Sequence, residues 1–354
     1  MKQMAIILTL CCLLLSGCTG WMDGRHVTVT SHQTQIPNVQ SGTVSAANYM
    51  QLRDVLKNLV ESGSESGVIN VAEYDPDSLE TGVVRAVNYI CTQLPLGAYA
   101  VESLNYEIGT GGGQPAISVS ISYIHGRSAI RQIEKVADMD QAMEEIYRML
   151  ESCGEGLVLL VEQYSETDIS QLVEDFALAN PQTVMETPQV SLGAYPEFGV
   201  SRIVEVKFTY QSSRDALRQM QAQVQRVFTS ADYYVNSDST QAQKYSQLYT
   251  FLMERFDYKQ EKSITPSYSL LVHGVGDSKA FAAVYAAMCA QAELECAIVT
   301  GTRDGEPWTW NLICQDGVYY HVDLQRSYEM GTLKTMTDQQ MEGYVWDYSA
   351  YPEA

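Results

Sequence analysis

The chain has 354 residues, 45% of them apolar, so it can bury a sizeable core and has room for two domains or one domain with repeats. Its 22 Lys and Arg stand against 43 Asp and Glu, a net charge of −21. So acidic a surface argues against nucleic acid and against docking on anionic lipid, and serves solubility. With no phosphate loop, nucleotide fingerprint or metal-ligand spacing such as C-x-x-C, neither a nucleotide, a metal nor another cofactor is expected.

In chain order, Met1-Lys2-Gln3 is a short positive segment, and Met4 to Leu15 is an apolar run. The run is too short to cross a bilayer as a helix and reads as an export signal over residues 1–17. Leu15-Ser16-Gly17-Cys18 comes next. Small residues before a cysteine fit a peptidase cleft, and the thiol can be alkylated with diacylglycerol. This start resembles the lipobox of bacterial lipoproteins, over the first 18 residues only. The resemblance implies cleavage before Cys18, lipid on its thiol, and anchoring to the outer face of the bacterial cell membrane. Two acyl chains hold firmly where one holds weakly. The other reading is an ordinary secretory signal with a chance cysteine. Cys91, Cys153, Cys289, Cys296 and Cys314 come after Cys18, an odd number that leaves at least one unpaired. They read mostly as small buried apolar residues, and their pairing stays open.

Residues 18–45, rich in Thr, Ser, Gln and Gly, read as a flexible tether. A helix is predicted over 46–62, with Tyr49, Leu52, Leu56 and Val60 at helical spacing. An internal repeat comes next. The stretch from Ile117 through Tyr123, Arg127 and Ala129 to Gln132 aligns without gaps with Val204, Tyr210, Arg214, Ala216 and Gln219, 87 residues on. Each copy alternates apolar and polar residues as a half-buried strand and then turns into a helix. Upstream, Val68–Tyr74 corresponds loosely to Val158–Tyr164, and Gly111-Gly112-Gly113 reads as a turn. The expectation is two strand–helix–strand–strand–helix units, about 66–152 and 156–235, forming mixed sheets covered by helices. Arg127 and Arg214 recur at the strand-to-helix turn and read as solvated capping charges. Asn236-Ser-Asp-Ser-Thr240 offers a helix N-cap and marks a domain boundary at about 236.

The last segment, 236–354, predicts a helix over 240–256 and an apolar helix entered at Gly276-Asp277-Ser278-Lys279-Ala280-Phe281-Ala282. Strands are predicted over 296–300, 308–314 and 318–324, with Asp316-Gly317 as a hairpin turn. Trp308-Thr309-Trp310-Asn311 and Tyr319-Tyr320-His321-Val322-Asp323 lie on these strands. In order and spacing this segment resembles the transglutaminase-like superfamily, whose papain-like fold is shared by transglutaminases and many bacterial relatives. The tail Tyr344-Val345-Trp346-Asp347 and Tyr351-Pro352 is also similar to bacterial members. The fold class is then α+β throughout, duplicated repeats followed by a transglutaminase-like α+β domain.

The resemblance places a nucleophilic cysteine at 278, a histidine at 308 and an aspartate at 323. Only Asp323 matches. Serine does not ionise usefully without an adjacent base, and an indole N–H only donates. A degenerate triad of Ser278, Trp308 and Asp323 results, with no catalysis expected. Trp308, Trp310, Asn311 and His321 are the candidate binding residues. Trp308 reads either as a plug or as a stacking platform for a sugar or peptide. The function read from the sequence is binding or scaffolding at the cell envelope, with cell-wall peptide or a surface protein as possible partners. The alternative is an active acyl-transferase or peptidase using Ser278 with a base such as His321, two residues before Asp323. His273 reads as a loop residue satisfied by water or backbone.

Overall fold

The structure is a computed structural model and describes residues 44–260 and 262–354. The expected export signal, Cys18 and the expected tether up to residue 43 lie outside the described residues. The chain divides into two compact units, one running to Glu134 and taking in Ala194–Ile203, the other holding Lys135–Gly193 and Val204–Ala354.

The first unit begins with β1 (Val44–Ser45), α1 (Tyr49–Glu61) and β2 (Ser66–Asn70). Asn48 caps α1 by accepting the Gln51 N–H, and Leu52, Val55, Leu56 and Val60 bury one stripe of it. Next come α2 (Pro76–Thr92), α3 (Pro95–Ala100), β3 (Val101–Gly111) and β4 (Gln114–Tyr123). Gly112 and Gly113 turn between β3 and β4 with φ of 59° and 82°, a turn that needs glycine. Along β4, Ile117, Val119 and Ile121 are buried while Ser120 and Ser122 are exposed. The sheet has order β1-β2-β4-β3 and is mixed, with β1 parallel to β2 and the other pairs antiparallel.

After α4 (Arg127–Arg131), the second sheet is made of β5 (Glu134–Asp138), β6 (Gly156–Gln163), β7 (Gln189–Tyr195) and β8 (Arg202–Thr209), in order β5-β6-β8-β7. Its helices are α5 (Met139–Glu151) and α6 (Ile169–Ala179). Both sheets are therefore wired strand–helix–strand–helix–strand–strand. This corrects the frame expected from the repeat. The expected boundaries make α5 the end of the first unit, but it lies between the first two strands of the second sheet. The cause is visible at the aligned arginines. The helix at Arg127 is a single turn with no buried residue, whereas α7 (Arg214–Tyr234) runs 21 residues and buries Leu217, Val224, Phe228 and Ala231. The gapless match equates the strands but not the helices beyond them. Arg214 donates from Nε to the Ser152 carbonyl at 3.3 Å.

Beyond α7 the chain forms α8 (Gln241–Met253), β9 (Asp257–Tyr258), α9 (Pro266–His273), β10 (Val275–Gly276) and α10 (Ser278–Gln291). Thr240 caps α8 in a reciprocal box with Gln243. Helix α10 is apolar all round and central. Its Phe281, Val284, Tyr285 and Met288 share one core with Tyr245, Leu252, Leu270 and Phe228. An antiparallel sheet, β13-β12-β11-β14, packs beside it: β11 (Cys296–Arg303), β12 (Glu306–Gln315), β13 (Val318–Val322) and β14 (Tyr344–Trp346). Asp316 and Gly317 have φ of 53° and 82°, the two left-handed residues that a tight hairpin requires. Asp304-Gly305 makes the same turn between β11 and β12, with φ of 54° and 86°. The sequence carries that second turn signal as plainly as the first, although the expected strands do not use it. A short helix, α11 (Leu324–Glu329), comes after β13.

Candidate functional site

Strand β12 separates two chemical environments by its alternation. Ile313 packs in the core around α10, and the Asn311 amide donates to the Ala282 carbonyl of that helix at 2.9 Å. Trp310 and Leu312 point the other way, into a smaller core with Val299, Met336, Tyr344 and Trp346.

On the helix side, Asp277 caps α10 by accepting the Ala280 N–H at 2.9 Å. Ser278 is the first residue of that helix and half-buried. Its Oγ accepts the Thr309 backbone N–H at 3.3 Å, a long bond. Met253, Tyr258, Asn311, Asp323 and Gln325 join Ser278 around a narrow cleft. The cleft has room for about one water. Among the described residues, Asn311 Oδ1 is buried with no hydrogen-bond partner.

Asp323 stands where β13 gives way to α11 and is 2% exposed. Its Oδ1 accepts the backbone N–H groups of Gln325 (2.9 Å) and Arg326 (3.1 Å), capping α11. Its Oδ2 accepts from Trp308 Nε1 (2.9 Å), Arg303 Nη1 (3.2 Å) and the Tyr344 hydroxyl (2.5 Å). The carboxylate thus has five donors, which fills its acceptor sites. Trp308 is half-buried. Its ring lies against Tyr258, with centroids 5.5 Å apart, and beneath the Arg303 guanidinium at 5.2 Å. Burial and the adjacent Asp323 carboxylate push the Tyr344 phenol well above its ordinary pKa, so it remains a donor. The pairing of Arg303 with Tyr344 across β11 and β14 brings these donors together. Gly301 enables that pairing, since a side chain there would collide with the Val345 carbonyl and crowd Trp310.

His321 belongs to the environment of Trp310. Trp310 Nε1 donates to its Nδ1 at 2.9 Å. Because indole nitrogen only donates, Nδ1 carries a lone pair and the proton resides on Nε2. That proton goes to Asp338 Oδ1 at 2.8 Å. Burial lowers the imidazole pKa, and the hydrogen bond to Asp338 offsets part of the drop.

Three comparisons bear on this segment. The family model of the transglutaminase-like superfamily matches residues 229–353. The C-terminal segment is a transglutaminase-like domain. No curated protein matches the chain. Solved structures similar to it include a TGase, at 11% identity and TM-score 0.27, covering 60% of this chain and 61% of that one. A candidate cysteine protease from Cytophaga hutchinsonii has 10% identity and TM-score 0.26, covering 42% and 65%. A candidate protease from Parabacteroides distasonis has 9% identity and TM-score 0.24, covering 60% and 47%. The chain spans less than two thirds of the length of each of these structures.

Within the transglutaminase-like domain, Ser278 and Asp323 both border the cleft, and Trp308 is bonded to Asp323. Asp323 accepts from Trp308, Arg303 and Tyr344. Trp310 and His321, expected as binding residues, are 1% and 0% exposed and serve as packing and hydrogen-bonding partners of each other. Asn311, also expected as a binding residue, is 0% exposed, borders the cleft and braces α10 against β12. His321 is also not placed as a base for Ser278: its ring lies on the face of β12 away from α10, with both nitrogens engaged. His273 is exposed at the end of α9, its ring edge-on to Tyr268. Sequence reasoning missed Arg303, Tyr344 and Asp338. The Asp304-Gly305 turn was an available signal for Arg303, since it sets that residue at the end of a strand. Among the described residues, no group of three or more His, Cys, Asp or Glu could hold a metal ion, and no helix is long and apolar enough to cross a membrane.

Proposed function

We propose that this protein is an exported, lipid-anchored component of the bacterial cell envelope whose transglutaminase-like domain breaks no bonds and serves in binding or scaffolding. The observation that carries this reading is the state of Asp323. A carboxylate that would orient a catalytic imidazole is instead saturated by an indole N–H, a guanidinium and a phenol. Ser278 accepts a backbone N–H and has no imidazole in the cleft beside it, so its hydroxyl remains a weak nucleophile. Trp308 acts as a plug, which accords with the small cleft beside it. Anchoring through Cys18 rests on the lipobox-like start, and the partner is a cell-wall peptide or a surface protein.

A fluorophosphonate probe tests the chemistry. The purified protein should show no labelling at Ser278, and labelling that disappears in Ser278→Ala would overturn the reading. Metabolic labelling with an alkyne fatty acid tests the anchor, with incorporation expected in the natural chain and lost in Cys18→Ala.

A further inference from the structure

Helix α10 ends in a turn that folds the chain back on itself. Glu293 is left-handed, with φ of 59°, a position usually given to glycine. The Glu293 N–H donates to the Ala290 carbonyl at 3.1 Å and the Leu294 N–H to the Cys289 carbonyl at 2.9 Å. These are the paired bonds of a Schellman turn, and they hold Cys289 in the last turn of the helix. Cys296 is the first residue of β11, opposite Ile313 of β12. Ile313 and Cys289 share the core around α10, and Cys296 packs against that core. Cys289 and Cys296 are thus seven residues apart on either side of this turn and pack on the same core. Cys314 comes directly after Ile313 on β12, so its side chain takes the opposite face of the sheet.

We infer that Cys289 and Cys296 join as a disulfide when the folded protein meets a disulfide oxidant, stapling the end of α10 to the start of β11. Cys296, the more exposed thiol, attacks the oxidant as a thiolate and forms a mixed disulfide, releasing one thiol. Cys289 then attacks the Cys296 sulfur and releases the second thiol. The protein gives up two protons and two electrons, and the oxidant's disulfide becomes two thiols. Burial holds the Cys289 thiol in its neutral form, so this second step is the slow one. The staple lies at the far end of the helix from Ser278 and is independent of the proposed function.

The test uses the full chain, folded, incubated with oxidised glutathione, blocked with iodoacetamide and digested with trypsin. No Lys or Arg falls between Lys279 and Arg303, so both cysteines fall in one peptide, Ala280–Arg303, which holds no other cysteine. The expected peptide carries no alkyl group and is lighter than its reduced form by two hydrogens. Reduction before alkylation should add two alkyl groups. In Cys289→Ser, Cys296 should instead persist as a glutathione adduct. Both cysteines alkylated in the unreduced natural chain, a lasting glutathione adduct there, or a Cys296–Cys314 cross-link would each overturn the inference.

Discussion

The two faces of β12 hold polar side chains in opposite ways. Toward α10, Ser278 makes one long hydrogen bond and Asn311 leaves an acceptor unpaired. On the other face, His321 has both ring nitrogens engaged, and Asp323, at the edge of the cleft, has its oxygens filled by donors from β11, β12, α11 and β14. Catalysis of the kind the fold family performs needs a free nucleophile and a free base. Ser278 is loosely held, and Trp308 and Asp323 are tied into structure.

Asp323→Ala should break the comparison most strongly. It takes the shared acceptor away from a partly exposed guanidinium, an indole N–H and a buried phenol, and uncaps α11. The expected loss is about 3–5 kcal/mol, read from the denaturant midpoint. A loss below about 1 kcal/mol would mean that the cluster is solvated rather than locked. Trp308→Phe keeps an aromatic ring beside Tyr258 and deletes one donor, so a loss of about 1–3 kcal/mol is expected by the same measurement.

The same two environments show how far a sequence can be read. Helix α10, the Thr240 cap, the Asp316-Gly317 turn and the positions of Ser278, Trp308 and Asp323 are legible, because each depends on local spacing or local turn chemistry. The saturation of Asp323 is not. It depends on β14 returning from beyond residue 340 to lie against β11, and no nearby periodicity announces that pairing. The frame of the two N-terminal sheets is hidden for a related reason. The aligned strands are local, but whether the next helix persists depends on what it packs against, which differs between Arg127–Arg131 and Arg214–Tyr234.

A third variant sharpens the comparison through pH. Burial sets the folded His321 below its ordinary value of 6.5, so the folded state binds fewer protons than the unfolded chain as pH falls. Its contribution to stability is present above about pH 6.5 and is lost as pH drops through the lowered folded value. Protonation also places an N–H on Nδ1 against the Trp310 N–H. The melting temperature should fall between about pH 7.5 and 5.5, and His321→Gln should flatten that slope. An unchanged slope would assign the effect to other groups. The smallest change is expected on the helix side, where Ser278→Ala should alter stability by no more than about 0.5 kcal/mol.

Gly301 offers a route to the carboxylate that leaves every one of its ligands intact. A single methyl group there has nowhere to go, with the Val345 carbonyl on one side and Trp310 on the other. Gly301→Ala should therefore pry the terminal strand outward and draw the Tyr344 phenol away from Asp323, emptying one oxygen of its third donor. The domain would then display, without any new catalytic group, how much of its rigidity comes from a residue that has no side chain.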